Sequence, residues 1–146
     1  MPEAAAQVVL AFDFGLRRIG IACGDTVSST AAPRGAIRVT DRGIDWLAIE
    51  RLLQDLRPDV LVVGSPQHAD GGPSSLSPQA DRFAAELAAR AQRPVQRADE
   101  FASSIEAAGR LKAQRAAGQR RRRVQHADID GAAAAIILER WLRGEG

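Results

Sequence analysis

The sequence predicts an α/β fold, with a mixed five-stranded sheet and helices on both faces of that sheet. The first observation is a pair of apolar runs near the N-terminus, residues 8–12 and 18–24, which indicates an antiparallel hairpin. The second is that helical and strand patterns alternate after residue 45. Such alternation favours parallel pairing, because a parallel neighbour needs a crossover long enough to hold a helix.

The other elements are predicted from hydrophobic spacing and from the positions of glycine and proline. In chain order they are a strand over 35–39, a helix over 46–56, a strand over 60–63, a helix over 78–91, a strand over 94–98, and helices over 103–117 and 129–142. A polar, glycine-rich loop is expected over 67–77, and an arginine-rich break separates the last two helices.

Length and composition fit a single domain over residues 1–146, with disordered tips at about 1–5 and 144–146. No apolar run approaches the length of a membrane span and the N-terminus lacks a signal-peptide pattern, so we expect a soluble cytoplasmic protein. The only cysteine, Cys23, cannot form an internal disulfide. The Gly-Lys-Ser/Thr of a nucleotide P-loop is missing, and Ser65 has no evident partner base for nucleophilic catalysis.

Positive charge is concentrated although the formal net charge is only +2. The densest run is Arg120, Arg121, Arg122 and Arg123, with Arg110, Lys112 and Arg115 upstream. Guanidinium groups in such a cluster can bind phosphates through two parallel hydrogen bonds. A solvated loop is an equally good interpretation of this run when it is considered by itself.

Asp13 directly follows an apolar run that should lie in a central strand. A carboxylate there is costly unless it is compensated. One compensation is a hydrogen-bonded turn, since an aspartate before Phe14-Gly15 can cap a tight hairpin. The other is a bound cation.

Asp99 and Glu100 follow the strand predicted over 94–98, at its carboxyl end. Ligands of open α/β sheets gather outside the carboxyl ends of parallel strands. Alternatively Asp99 or Ser103 caps the next helix. One of the two acids could serve as such a cap and leave the other for a site.

Asp130 is predicted in the first turn of the last helix, at the head of a stripe that continues through Ala134, Ile137 and Trp141. The stripe should face the sheet, which directs the Asp130 carboxylate toward the strand tips. Asp128 is interpreted as the N-cap or as an auxiliary acid. Gly131 and the four alanines after it leave room for a close approach of helix and sheet.

Three acids that converge from distant parts of the chain repel one another and need a cation. Magnesium prefers oxygen ligands, and two such ions about 4 Å apart can activate a water and stabilise the leaving oxygen of a phosphodiester. The sequence therefore predicts a metal-dependent nuclease site. His68 and His126 are interpreted as ordinary exposed histidines.

Four segments in register resemble one known family. Residues 13–20, Asp-Phe-Gly-Leu-Arg-Arg-Ile-Gly, resemble the Asp-x-Gly-x-x-Arg-Ile-Gly opening of the bacterial YqgF family, also called RuvX. The other segments are Val62-Val63-Gly64-Ser65-Pro66 with Asp70-Gly71, then Asp99-Glu100 with Ser103, Ser104 and Glu106, and finally Asp130 with residues 133–138. Together they cover nearly the whole chain.

The resemblance implies an RNase H-like fold and a cytoplasmic nuclease that uses Mg²⁺ or Mn²⁺ in maturing the 5′ end of pre-16S ribosomal RNA. It implies that Asp13, Glu100 and Asp130 are the catalytic acids and metal ligands. Phe101 stands where the family pattern has an arginine, whose phosphate contact could be taken over by Arg97. Nucleic-acid contacts are assigned to Arg17, Arg18 and the run Arg120, Arg121, Arg122 and Arg123.

Two other functions remain open at this point. The same chemistry would suit Holliday junction cleavage, in DNA recombination and repair, and a non-catalytic nucleic-acid-binding module is a different class. An actin-like phosphotransferase has a similar opening strand, but such enzymes need two duplicated domains. The sequence leaves endo- or exonuclease action, binding to ribosomal precursor particles, and a monomer or homodimer undecided.

Overall fold

The computed structural model describes residues 6–65, 77–99 and 126–144. Within these ranges the elements, in chain order, are β1 (Val8–Asp13), β2 (Arg18–Asp25), β3 (Ala31–Thr40), β4 (Gly43–Ile44), α1 (Trp46–Leu56), β5 (Val60–Ser65), α2 (Ser77–Ala91), β6 (Val95–Asp99) and α3 (His126–Leu142). The helix predicted over 103–117, the arginine-rich break and most of the glycine-rich loop lie outside the described residues.

The strands form one mixed sheet in the order β4-β3-β2-β1-β5-β6. β1 to β4 are antiparallel neighbours, whereas β1 pairs with β5 and β5 with β6 in parallel. The mixed α/β prediction is therefore confirmed, but the prediction of five strands is wrong by one. The additional strand, β4, has only two residues, which are too few to carry a hydrophobic period.

One face of the sheet packs on α1 and α2. Its large side chains include Leu10 and Phe12 from β1, and they form a core with Ile49 of α1 and with Phe83 of α2. The Phe83 ring contacts the Phe12 ring edge-on, with 5.6 Å between ring centroids. Apolar residues spaced at helical intervals predict both helices, and burial of this face fixes their side of the sheet.

The opposite face packs on α3 and is built from small residues. Alternation along β1 puts Val9 and Ala11 in a second core with Ala134 and Ile137 of α3. Both faces of the sheet therefore carry helices, as predicted. Residues 131–138 of α3 are all buried. None of the helices within the described ranges is long and apolar enough to cross a membrane.

α3 begins at His126, three residues before the predicted start. Asp128 therefore lies inside the helix, and its interpretation as the N-cap is wrong. Asp130 is correspondingly the fifth helical residue, at the start of the second turn instead of in the first. The environment of the Asp130 carboxylate is therefore set by the packing of α3 on the sheet more than by the helix dipole, which acts mainly in the first turn.

Candidate active site

Asp13 is the last residue of β1, at the carboxyl end of a strand in the middle of the sheet. Its partner in β2 is Gly20 and its partner in β5 is Gly64, so neither neighbouring strand places a side chain beside its carboxylate. Val9 and Ala11 face α3, and alternation puts Asp13 on the same face. The carboxylate thus points into the layer between the sheet and α3.

α3 crosses the sheet directly over this position. A Cβ atom built on Gly20 would lie 2.0 Å from the backbone oxygen of Asp130, far inside van der Waals contact. A Cβ built on Gly24 would lie 3.1 Å from the Leu138 side chain. The eight residues from Asp130 to Leu138 rise about 12 Å along the helix, and the four from Gly20 to Gly24 rise about 13 Å along the strand. α3 therefore runs along β2, and Asp130 lies above Gly20, the cross-strand partner of Asp13.

The glycines that make this approach possible were not identified as site residues from the sequence. Gly20 stands inside an otherwise apolar strand pattern, and an isolated glycine in a strand often marks close approach of another backbone. The isolated Gly20 therefore could have indicated the close approach of α3 from the sequence. Gly64 is the parallel neighbour of Asp13 in β5.

Burial and charge both act on the Asp13 carboxyl group. Burial raises its pKa to about 7, and the negative charge of Asp130 contributes to the same increase. Among the described residues no donor forms a hydrogen bond or ion pair with this carboxylate, so the alternative role as a hairpin cap gains no support. The ionised form of Asp13 would be stabilised by a cation placed between the two acids.

Asp130 has such a cation beside it in this structure. Nε of Arg18 donates to Oδ2 of Asp130 over 2.6 Å, and the two side chains are 36% and 22% exposed. Arg18 opens β2, two residues before Gly20, so it projects from the same face of the sheet. Arg17, one residue earlier, is exposed, and its backbone oxygen accepts a hydrogen bond from the amide of Val39.

Arg97 does not lie with the acids. It pairs with Asp81 of α2, and its strand neighbour Val95 packs in the α1 and α2 core. Arg97 therefore faces the side of the sheet opposite to Asp13. The suggestion that Arg97 takes over the phosphate contact of the family arginine is not supported by this position.

Several predicted site residues fall outside the described residues. They are Glu100, Arg120, Arg121, Arg122 and Arg123. The backbone of Asp99 pairs with Ser65 at the end of β6, next to the strand that flanks Asp13. Within ranges 6–65, 77–99 and 126–144, no group of three or more histidine, cysteine or acidic side chains is assembled. The structure brings together Asp13, Asp130 and Arg18.

The donor set suits a hard divalent cation. Two carboxylates, one of them with a raised pKa, offer oxygen ligands in this layer, where Arg18 is the cation that pairs with Asp130. Asp13 and Asp130 could hold such an ion between them.

The fold is similar to that of solved Holliday junction resolvases. The chain is similar to Thermus thermophilus RuvC in complex with a Holliday junction substrate, with a TM-score of 0.53 and 15% identity over 94% of each chain. It is also similar to the yeast mitochondrial Holliday junction resolvase, with a TM-score of 0.55 and 16% identity over 94% of this chain and 78% of the other. These likenesses define the fold class as RNase H-like.

Sequence comparison is more specific. The chain is 44% identical to "Putative pre-16S rRNA nuclease" of Xanthomonas axonopodis pv. citri, over 97% of this chain and 94% of that protein. The identically named protein of Xylella fastidiosa strain M23 is also 44% identical, with the same coverage. A family profile described as "RuvX: Holliday junction resolvase" matches residues 7–144. The chain belongs to the RuvX family, which confirms the resemblance found in the sequence.

Proposed function

We propose that this protein is a divalent-metal-dependent nuclease that hydrolyses phosphodiester bonds in maturing the 5′ end of pre-16S ribosomal RNA. Relatives 44% identical over nearly their whole length carry that name, which supports the RNA substrate. Holliday junction cleavage is the second candidate, because the family description and the RNase H-like neighbours refer to it. Both reactions use the same chemistry at the same site.

The observation that carries this proposal is the position of Asp130 over the Asp13–Gly20 pair. Residues 117 apart in sequence meet in one layer, where burial first and the negative charge of Asp130 second raise the pKa of the Asp13 carboxyl group. Without a cation, only a proton neutralises this acid near neutral pH, because no described donor compensates its ionised form. A role in holding a cation explains why it is retained in a central strand.

Asp13, Glu100 and Asp130 are the proposed metal ligands and catalytic acids. Glu100 lies outside the described residues and is included because it directly follows β6 in sequence. Gln96 and Ala98, the even-numbered residues of β6, face α3 as Asp13 does: Gln96 accepts from the Trp141 indole, and Ala98 packs with Ala134. The family resemblance and its position directly after β6 in the sequence support Glu100 as the third acid.

Bound Mg²⁺ or Mn²⁺ would supply an activated water and stabilise the leaving oxygen. The residues of this chain prepare the site for that chemistry. With the ion bound, Asp13 and Asp130 would both hold it as carboxylates, so Asp13 would lose its proton to solvent and Asp130 would release the Arg18 guanidinium. Arg18 would then be available to a substrate phosphate.

The proposed partners follow from the same chemistry. Arg17, Arg18 and the run Arg120, Arg121, Arg122 and Arg123 are proposed to bind the nucleic-acid backbone. We further propose a single cytoplasmic domain that acts on free precursor RNA or on ribosomal precursor particles, as a monomer or homodimer.

The proposal is tested by cleavage of two labelled substrates, an RNA that spans the 5′ end of the small-subunit rRNA precursor and a four-way DNA junction. Each is incubated with Mg²⁺, with Mn²⁺ and with EDTA. We expect metal-dependent cleavage of the RNA that Asp13→Asn abolishes and that Asp55→Asn, an exposed acid of α1, leaves intact. Cleavage of the junction alone would favour the resolvase function. Binding without cleavage of either substrate would favour a non-catalytic module.

A further inference from the structure

Arg18 and Arg38 are direct cross-strand partners in the β2–β3 pairing. Because partners in register project from the same face, Arg38 shares the face on which Arg18 reaches Asp130. Like charges placed directly opposite each other in a sheet are destabilising. Asp130 compensates the charge of Arg18, but no carboxylate within the described residues contacts Arg38.

The position of Arg38 relative to the acids follows from the register. Asp13 pairs with Gly20, Gly20 is two residues from Arg18, and Arg18 pairs with Arg38. With strands about 4.8 Å apart and a rise of about 3.3 Å per residue, the Cα atoms of Arg38 and Asp13 are about 12 Å apart. Successive phosphates of one strand in a duplex are separated by about 3.4 Å along the axis. An arginine at this distance is suited to a phosphate a few nucleotides from the bond that is cut.

Arg38 is also held where it can act. Val39, its neighbour, donates its amide to the backbone oxygen of Arg17 and so ties this end of β3 to the start of the hairpin. The Arg38 side chain itself is exposed. A fixed backbone beneath an accessible guanidinium lowers the entropy cost of forming two parallel hydrogen bonds to a phosphate.

We propose that Arg38 is a substrate-positioning residue that binds a backbone phosphate of the nucleic acid a few nucleotides from the scissile bond. The inference rests on the proposed function, in which a nucleic-acid backbone is bound over the acids. Arg38 forms no contact with the reacting atoms at this distance. It fixes the register of the strand over Asp13 and Asp130 through a charge-assisted contact.

Binding measured in EDTA tests this without any need for cleavage. Fluorescence anisotropy of a labelled single-stranded RNA, and of a DNA of the same sequence, would be recorded across a range of salt concentrations. We expect Arg38→Ala to weaken binding of both by about tenfold and to reduce the salt slope by about 0.7. The matched control is Arg51→Ala, which removes one exposed arginine from α1 on the opposite face of the sheet.

A phosphate scan then locates the contact. Uncharged methylphosphonates are placed one at a time along the RNA, and each weakens binding where it removes a contacted charge. We expect one position at which Arg38→Ala causes no further loss, while Arg51→Ala leaves the whole profile unchanged. Arg38→Lys should keep most of the salt slope and lose part of the affinity, because an ammonium group lacks the planar fork.

Three results would overturn the assignment: equal effects of Arg38→Ala and Arg51→Ala, an effect confined to RNA, or a methylphosphonate profile that Arg38→Ala does not alter. The first would indicate general electrostatics and the second a contact to the ribose hydroxyl. Failure of the nuclease proposal would look different, because wild-type protein would then bind these strands and show the Arg38 effect while cutting neither substrate with metal present.

Discussion

Arg18 donates from Nε to Oδ2 of Asp130 over 2.6 Å, across 112 residues of sequence. The guanidinium therefore occupies one of the oxygen atoms that a metal ion at the proposed site would use. The two side chains are partly exposed, so the ion pair contributes no more than about 1 kcal/mol. A competitor of that strength would lower the affinity for a metal ion at the proposed site without preventing its binding.

The first prediction concerns this competition. Arg18→Ala should tighten binding of Mn²⁺ to the nucleic-acid-free protein by about two- to fivefold, because it removes a cation worth up to about 1 kcal/mol from the shared carboxylate. Isothermal titration calorimetry at pH 8 measures it, with Arg51→Ala as the charge-matched control. Weaker Mn²⁺ binding by a variant with an unchanged melting temperature would show that Arg18 positions Asp130 for the metal instead of competing with it.

The second prediction follows from the pKa of the Asp13 carboxyl group, which burial and Asp130 raise from 3.8 to about 7. Because the folded protein holds this proton more tightly than the unfolded chain, the free energy of unfolding falls as pH rises from about 4 to about 7 and then levels off. A change of one in pKa corresponds to about 1.4 kcal/mol, so ionised Asp13 costs about 4 kcal/mol at pH 8. Asp13→Asn should recover much of that cost.

Chemical denaturation of metal-free protein at pH 4 and pH 8 measures this difference. Asp13→Asn should exceed the wild type in stability at pH 8 and differ little from it at pH 4, although it is expected to be inactive. Asp55→Asn controls for the loss of an exposed acid and should show no such pH-dependent gain. An Asp13→Asn variant less stable than the wild type at pH 8 would contradict the raised pKa.

The third prediction concerns the approach of α3 to the sheet at Gly20. An alanine Cβ at this position would meet the backbone oxygen of Asp130 at 2.0 Å, and backbone cannot move aside as a flexible side chain can. Gly20→Ala should therefore destabilise the protein by about 3 kcal/mol or more, as overpacking of a core does. It should also displace Asp130 from Asp13, and metal binding should weaken in whatever protein remains folded.

Gly35→Ala is the matched comparison. Gly35 has a φ of +79°, but a Cβ there has open space around it, so alanine brings only backbone strain. Its cost should be about 1 kcal/mol. Thermal melts and Mn²⁺ titrations of both variants separate the two causes, and equal losses of stability would argue against close contact at Gly20.

The elements around the site were predictable where the sequence carries a period. The β1–β2 hairpin and α3 bury long apolar patterns, and their existence and type follow from hydrophobicity alone. β4 has no period and was missed. The Arg18–Asp130 pair could not be predicted, because it depends on how α3 crosses β2, and that crossing is set by small residues such as Gly20 whose partners are remote in sequence.

The arginine run Arg120, Arg121, Arg122 and Arg123 lies outside the described residues, and the last prediction concerns its role. Each arginine that neutralises a phosphate releases counterions, with a slope of about 0.7 for a single strand. Replacing all four with alanine should weaken RNA binding and lower the salt slope by up to about 3. Cleavage at saturating RNA should persist, because the run is proposed to supply affinity, and the acids with their metal the chemistry. Anisotropy in EDTA gives the slope and single-turnover cleavage with Mg²⁺ gives the rate. A variant that keeps the parent salt slope would show that these arginines do not bind phosphates. A variant that binds normally and cuts slowly would show that they act in the reaction itself.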